Sequence, residues 1–185
     1  MMEQLLHTLT YTDEPFSIVL QFFIMVLVSL FPFAPIPLPA TIIGANHSFF
    51  TGLLINLGGT IVGSIMLFLL SKNYLSSLAN KMLVKHNRLA YFLSLIQTNG
   101  FIAVLIGRLV PILPSAGISL IAGISGVTFL AFTVGTFFGK FPIILAFSLA
   151  GNQLAAGNWY AILLSALYLF VIFLIGYKLK QKWQA

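Results

Sequence analysis

The chain has 185 residues, of which 59% are hydrophobic and 6% charged, against about 25% charged in ordinary soluble domains. That balance excludes a soluble globular domain, a disordered segment and a coiled coil, and it makes lipid the solvent for most of the surface. The formal charge of +6 comes from nine bases and three acids.

The bases sit in short loops between apolar runs, so they suit an anionic membrane face rather than nucleic acid. Cysteine is absent, which removes disulfides, thiolate metal sites and CxxC redox chemistry. A crossing helix needs about 20 apolar residues. The expected architecture is therefore a single all-α membrane domain over residues 1–185, with no separate soluble domain.

The first apolar run, Phe16 to Phe33, is long enough to span. Acids precede it and prolines follow it, so a crossing rather than a cleaved leader is expected. Pro32, Pro35, Pro37 and Pro39 then break the chain, at a density expected to forbid a regular helix. The segment and the TIIGANHSFF that follows carry no Lys, Arg, Asp or Glu, which predicts a re-entrant hairpin at membrane depth. Gly52 to Leu70 is the next span, and Gly59 with Gly63 permits close helix approach.

From Ser71 to Arg88 the character changes. Leu75, Leu78, Met82 and Leu83 fall on one helical face, with Lys81, Lys85 and Arg88 on the opposite stripe. This pattern predicts an interfacial amphipathic helix whose bases meet anionic headgroups. Phe101 to Gly123 is apolar but interrupted by Gly107, Pro111, Pro114, Gly117 and Gly123, and reads as a second hairpin. Val127 to Leu149 is a span, GNQLAAGN a short turn, and Trp159 to Tyr177 the last span, bounded by aromatic belt residues.

Four spans with basic segments at 71–88 and 178–182 place both termini on the cytoplasmic side of a cell membrane. The hairpins then open to opposite faces. Each half reads as a leading helix, a Pro-broken hairpin and a Gly-rich span. Such paired breaks point to a transport site near the bilayer midplane.

Arg108 and Lys140 lie inside apolar segments, while Glu3, Asp13 and Glu14, the chain's three acids, all precede the first span. A base at the bilayer centre costs about 2.5–3.5 kcal/mol on insertion scales. Without a carboxylate from the membrane region, these bases must use carbonyls, water or an incoming anion, and a guanidinium suits a phosphate. His47 is the one histidine within the broken segments, and as a candidate it could contact substrate. No Ser/His/Asp set, carboxylate pair or metal cluster is apparent, so neither an enzyme nor a cofactor is expected.

Residues Gly107 to Gly151 carry a further pattern: Arg108-x-x-Pro111-x-x-Pro114, then Ala122-Gly123, Phe132, and Gly135-Thr136-x-x-Gly139-x-x-Pro142. This stretch resembles the DedA/VTT-domain superfamily of SNARE-associated Golgi proteins, most closely the branch named for the yeast Tvp vesicle protein. Pro37, Pro39, Gly44, Phe49, Gly52 and the 58–63 glycines are similar to its first hairpin, so the likeness covers residues 35 to 151. Two departures stand out. Ala116 and Ser119 occupy places where the family often has Asn, and the membrane carboxylates of its proton-dependent members are missing.

The resemblance implies a lipid-moving protein, a flippase or scramblase for phosphate-bearing lipids such as undecaprenyl phosphate. The expected substrate-binding residues are Arg108, Lys140, Pro111, Pro114, Gly117, Gly123 and His47, with Lys81, Lys85 and Arg88 at the membrane surface. The alternatives are a small-anion or solute transporter and a non-transporting membrane organiser whose Gly-rich spans pair as a homo-oligomer.

Overall fold

The computed structural model describes residues 15–31, 35–74, 99–109 and 114–158, with single positions at 96, 160, 163, 167, 168, 170, 171 and 174. Six helices run through the described residues: α1 (Pro15–Leu30), α2 (Pro37–Asn46), α3 (Phe49–Tyr74), α4 (Gly100–Leu109), α5 (Ser115–Ile124) and α6 (Phe129–Ala155). No strand occurs among them.

The side-chain distribution is that of a protein in lipid. Helix α1 buries Ser17, Gln21, Met25, Val26 and Ser29, while Phe16, Val19, Phe23 and Leu27 are exposed. Helix α3 likewise buries Gly52, Asn56, Gly59, Thr60, Gly63 and Ser64 and exposes Leu54, Met66, Leu69 and Leu70. In water this outward apolar face would be unfavourable by about 25 cal/mol per Å²; in lipid it is the solvated face.

Helices α3 and α6 have 26 and 27 residues, or about 39–40 Å at 1.5 Å per residue, enough to cross a hydrocarbon core of about 30 Å. They pack antiparallel. Asn56 Nδ2 donates to Ser148 Oγ (2.9 Å), and Lys140 Nζ donates to Ser64 Oγ (2.8 Å) and Thr60 O (3.1 Å). The polar positions Asn56, Thr60 and Ser64 recur every fourth residue and so form one stripe facing α6.

Helix α1 lies along α3 in the same direction, with Phe22 and Met25 against Gly58 and Gly59 and Ser29 against Gly63. Helix α4 lies along α6 in the same way, with Phe101 and Val104 against Gly135 and Arg108 against Gly139. Both short leading helices therefore stop beside the middle of a long one. Helices α2 and α5 cross over: α2 packs mainly on α6, and α5 mainly on α3. At these crossings a Cβ would clash with the backbone of Ser148 at Gly44, with the backbone of Thr41 at Gly151, and with the Phe68 carbonyl and the Ser71 hydroxyl at Gly123.

Because α3 and α6 are antiparallel and each carries the same attachments, the halves are related by inversion. The sequence carries the repeat too. Ser29-x-x-Pro32-x-x-Pro35 matches Arg108-x-x-Pro111-x-x-Pro114, and Gly59-Thr60-x-x-Gly63-Ser64 matches Gly135-Thr136-x-x-Gly139-Lys140. Ser29 and Ser64 thus stand where the second half has its two buried bases.

Several expectations change. The span over Phe16 to Phe33 is a 16-residue helix, about 24 Å long, that ends beside the middle of α3. Helix α2 runs back antiparallel to α1, with His47 Nε2 beside Gln21 Oε1 (3.0 Å). The start of α1 therefore lies at the end of the bundle where α3 starts, the near end. Tyr74 and the start of α6 mark the far end.

Pro37 and Pro39 do not prevent a helix. They occupy the first turn of α2, where no N–H is needed for an intrahelical bond. The turn expected at GNQLAAGN is narrower. Gly151 to Ala155 continue α6, and the chain leaves it at Gly157, whose φ of +73° suits a glycine after a helix. Helix α6 also continues through Pro142. Helix α3 runs on to Tyr74. The amphipathic helix, with Lys81, Lys85 and Arg88, falls outside the described residues, as does most of the 159–177 span.

Candidate functional site

The start of α2, the end of α4 and the start of α5 meet the middle of α6 around a cavity of about 320 Å³. Ile36 and Pro37 open α2 on one side. Gly107 and Arg108 close α4, and Ser115 and Ile118 open α5. Helix α6 supplies Lys140, Ile143, Ile144 and Phe147. Apolar walls with two convergent bases, at a volume near 300 Å³, fit a ligand site.

Arg108 is 7% exposed and Lys140 6%. Arg108 Nη1 donates to Ser115 O (2.6 Å) and Ser115 Oγ (2.5 Å), and Nη2 to Ser119 Oγ (2.8 Å). Its Nε is buried with no partner among the described residues. Lys140 Nζ is held by Ser64 Oγ and Thr60 O of the other half. Among the described residues these polar partners are neutral oxygens, and the chain's three carboxylic side chains all precede Pro15.

Local structure explains the placement. Asn99 Oδ1 caps α4 by accepting from the backbone N–H groups of Phe101 and Ile102, a standard start for a helix. Arg108 then falls in the last turn of α4, where free carbonyls favour a cation. Gly139 brings α4 close. A Cβ built there would lie 2.5 Å from Arg108 Cβ, far inside van der Waals contact. The Arg108 guanidinium lies over the Phe132 ring, 5.8 Å from its centroid.

The structure brings Arg108 and Lys140 together and separates other candidates from them. Pro114 caps α5 next to Ser115. Pro111 lies outside the described residues. Among the described residues Gly117 meets Pro114 Cδ, at 3.8 Å, and Gly123 packs against α3. His47 follows α2 at the end away from the pocket, bonded to Gln21, while its carbonyl accepts from Asn152 Nδ2 (3.2 Å). It ties α1 and α6 to the turn before α3.

Sequence reasoning passed over Ser115, Ser119, Thr60 and Ser64 as partners of the bases. Their signal was the duplicated motif, which pairs Ser64 with Lys140 in register. Among the described residues no group of His, Cys, Asp or Glu side chains could hold a metal ion.

A family model described as the VTT domain matches residues 15–153. The chain belongs to the VTT-domain, or DedA, family. The matched stretch runs from the first residue of α1 almost to the end of α6, so it takes in both halves of the repeat and the whole pocket. Members of this family are membrane proteins, generally transporter-like and non-enzymatic. A curated relative, the uncharacterized protein YqeD of Bacillus subtilis (strain 168), is 29% identical over 163 residues, covering 88% of this chain and 78% of that one. No solved structure matches.

Proposed function

We propose that the protein moves a phosphate-bearing lipid between membrane leaflets, with the headgroup held between Arg108 and Lys140. The observation that carries this reading is a pair of buried bases facing one pocket with no carboxylate among its described lining residues, one of them with a buried Nε that has no partner among the described residues. A phosphate accepts from the guanidinium in a fork and takes the ammonium as a second point charge. It also removes the repulsion between two cations in a low-dielectric site.

Among the more exposed lining residues, Pro37, Ile143 and Phe147 are apolar and suit the first carbons of a tail that stays in lipid. The hairpin tips beside the middles of α3 and α6 are read as re-entrant, since broken backbone at membrane depth must be covered by protein or line a cavity. Both hairpins would then leave their breaks at the substrate.

The base-rich segment that follows α3 marks the far end as cytoplasmic by the positive-inside rule. On this reading the start of α1 belongs to the opposite face. A small-anion transporter is the second reading, favoured by a cavity of about 320 Å³ that holds a headgroup-sized anion without a tail.

Purified protein in liposomes separates these readings. Labelled phosphatidic acid and undecaprenyl phosphate should cross faster than in protein-free vesicles, while diacylglycerol should not. Saturable phosphate uptake without lipid movement would favour the second reading. Movement of all lipids alike would remove the headgroup from the mechanism.

A further inference from the structure

We propose that the stacked rings of Phe68 and Phe132 form the gate between the Arg108 pocket and the far end, and that Lys72 is the anion station beyond it. The inference rests on the anion reading of the pocket and adds its exit.

The four groups form a row. The guanidinium of Arg108 lies over Phe132, 5.8 Å from the ring centroid. Phe68 stacks on Phe132 with centroids 4.3 Å apart and planes 14° apart. Lys72 Nζ lies over Phe68 at 5.9 Å. Two stacked rings each keep one free face, and each free face is taken by a cation. Both rings are fully buried, with Val104, Ala122 and Val127 around them. Lys72 is exposed, in the last turn of α3.

The barrier between the buried base and the surface base is therefore two rings thick. An anion bound to Arg108 competes with Phe132 for the same positive charge, which loosens the ring on the pocket side. Lys72 offers the next positive charge on the other side.

The repeat supports a functional reason for the pair. In the register that matches Gly59 to Gly135, the place of Phe132 is held in the first half by Asn56, which bonds Ala40 O and Ser148 Oγ instead. The fold itself does not require a ring there.

The chain has no cysteine, so Ile118→Cys, on the pocket wall, is a reporter without background. In sealed proteoliposomes, a charged thiol reagent on the far-end side should label it slowly. Phe68→Leu keeps apolar bulk but removes the stacking faces. It should raise that labelling about tenfold, the change expected from losing one stacked aromatic pair. Phe132→Leu should do the same from α6, so a folding defect in one variant does not decide the matter.

Lys72→Gln should leave labelling unchanged and slow lipid translocation. Inorganic phosphate should protect the reporter in each background. Equal labelling with and without the Phe→Leu changes, or fast labelling of the parent, would overturn the gate. Translocation by Lys72→Gln at the parent rate would overturn the station. Faster labelling without phosphate protection would leave the gate standing and remove the anion reading beneath it.

Discussion

At the scale of single residues, the two bases differ in how they are held. Arg108 is fixed by serines of the neighbouring helix α5 and keeps an unused Nε. Lys140 reaches across to α3, where Ser64 Oγ also donates to Thr60 O at 2.7 Å. Removing the ammonium therefore strands neither oxygen. Burying an ion costs several kcal/mol of desolvation, and an apolar side chain of similar volume avoids that cost. Lys140→Met should raise the melting temperature by roughly 2–4 °C per kcal/mol gained while slowing lipid translocation. A lower melting temperature with unchanged translocation would make Lys140 a structural bolt.

The bases themselves were visible in the sequence, because charge in an acid-free apolar run has few explanations. Their partners were not, because Thr60 and Ser64 lie far from Lys140 along the chain. Only the packing of α3 on α6 brings them into range.

At the scale of elements, small residues decide how closely helices approach. Gly139 admits the Arg108 side chain, and a Cβ there would meet Arg108 Cγ at 3.0 Å as well as its Cβ. Neither helix can yield easily, since α4 is held along its length against α6. Gly139→Ala should cost about 1–3 kcal/mol, the usual range for overpacking, and should weaken phosphate binding with it. Gly117→Ala meets one atom at ordinary contact distance and should change neither melting temperature nor binding. A thermal melt with and without phosphate on both variants checks the contrast, and equal behaviour would contradict the close α4–α6 approach.

The glycine spacing in α3 and α6 was readable as a packing signal. Its partner was not, since Gly59 and Gly63 receive α1 of the same chain rather than a second copy. The proline-dense segment misled for a local reason. Prolines break a helix in its interior but open one in its first turn, and spacing alone does not say where α2 begins.

At the scale of the whole molecule, the inverted repeat fixes which ends share a face. Counting apolar runs made α1 a full crossing. In the structure α1 is a 16-residue helix that runs parallel to α3 and ends beside its middle, and the proposed re-entrant reading rests on that difference. Single cysteines in this cysteine-free chain can test it. Pro15→Cys and Asn158→Cys should react with an impermeant thiol reagent from one side of the membrane, and Asn99→Cys from the other. If Pro15→Cys reacts together with Asn99→Cys, α1 crosses the bilayer and the inverted arrangement fails. The family was legible from the motif between Gly107 and Gly151 because that motif contains the residues where α4, α5 and α6 touch. The duplicate in the first half was harder to see, with serines standing in place of both bases.

The central claim is that Arg108 and Lys140 hold the phosphate of a moving lipid. The most direct measurement is the translocation rate of labelled phosphatidic acid in proteoliposomes carrying wild type, Arg108→Lys or Arg108→Ala at equal protein density. Arg108→Ala should reduce the protein-dependent rate by tenfold or more, in line with the roughly 1.5–3 kcal/mol of a charged hydrogen bond. Arg108→Lys, which keeps the charge without the planar fork, should fall between. A rate for Arg108→Ala equal to that of wild type would contradict the account.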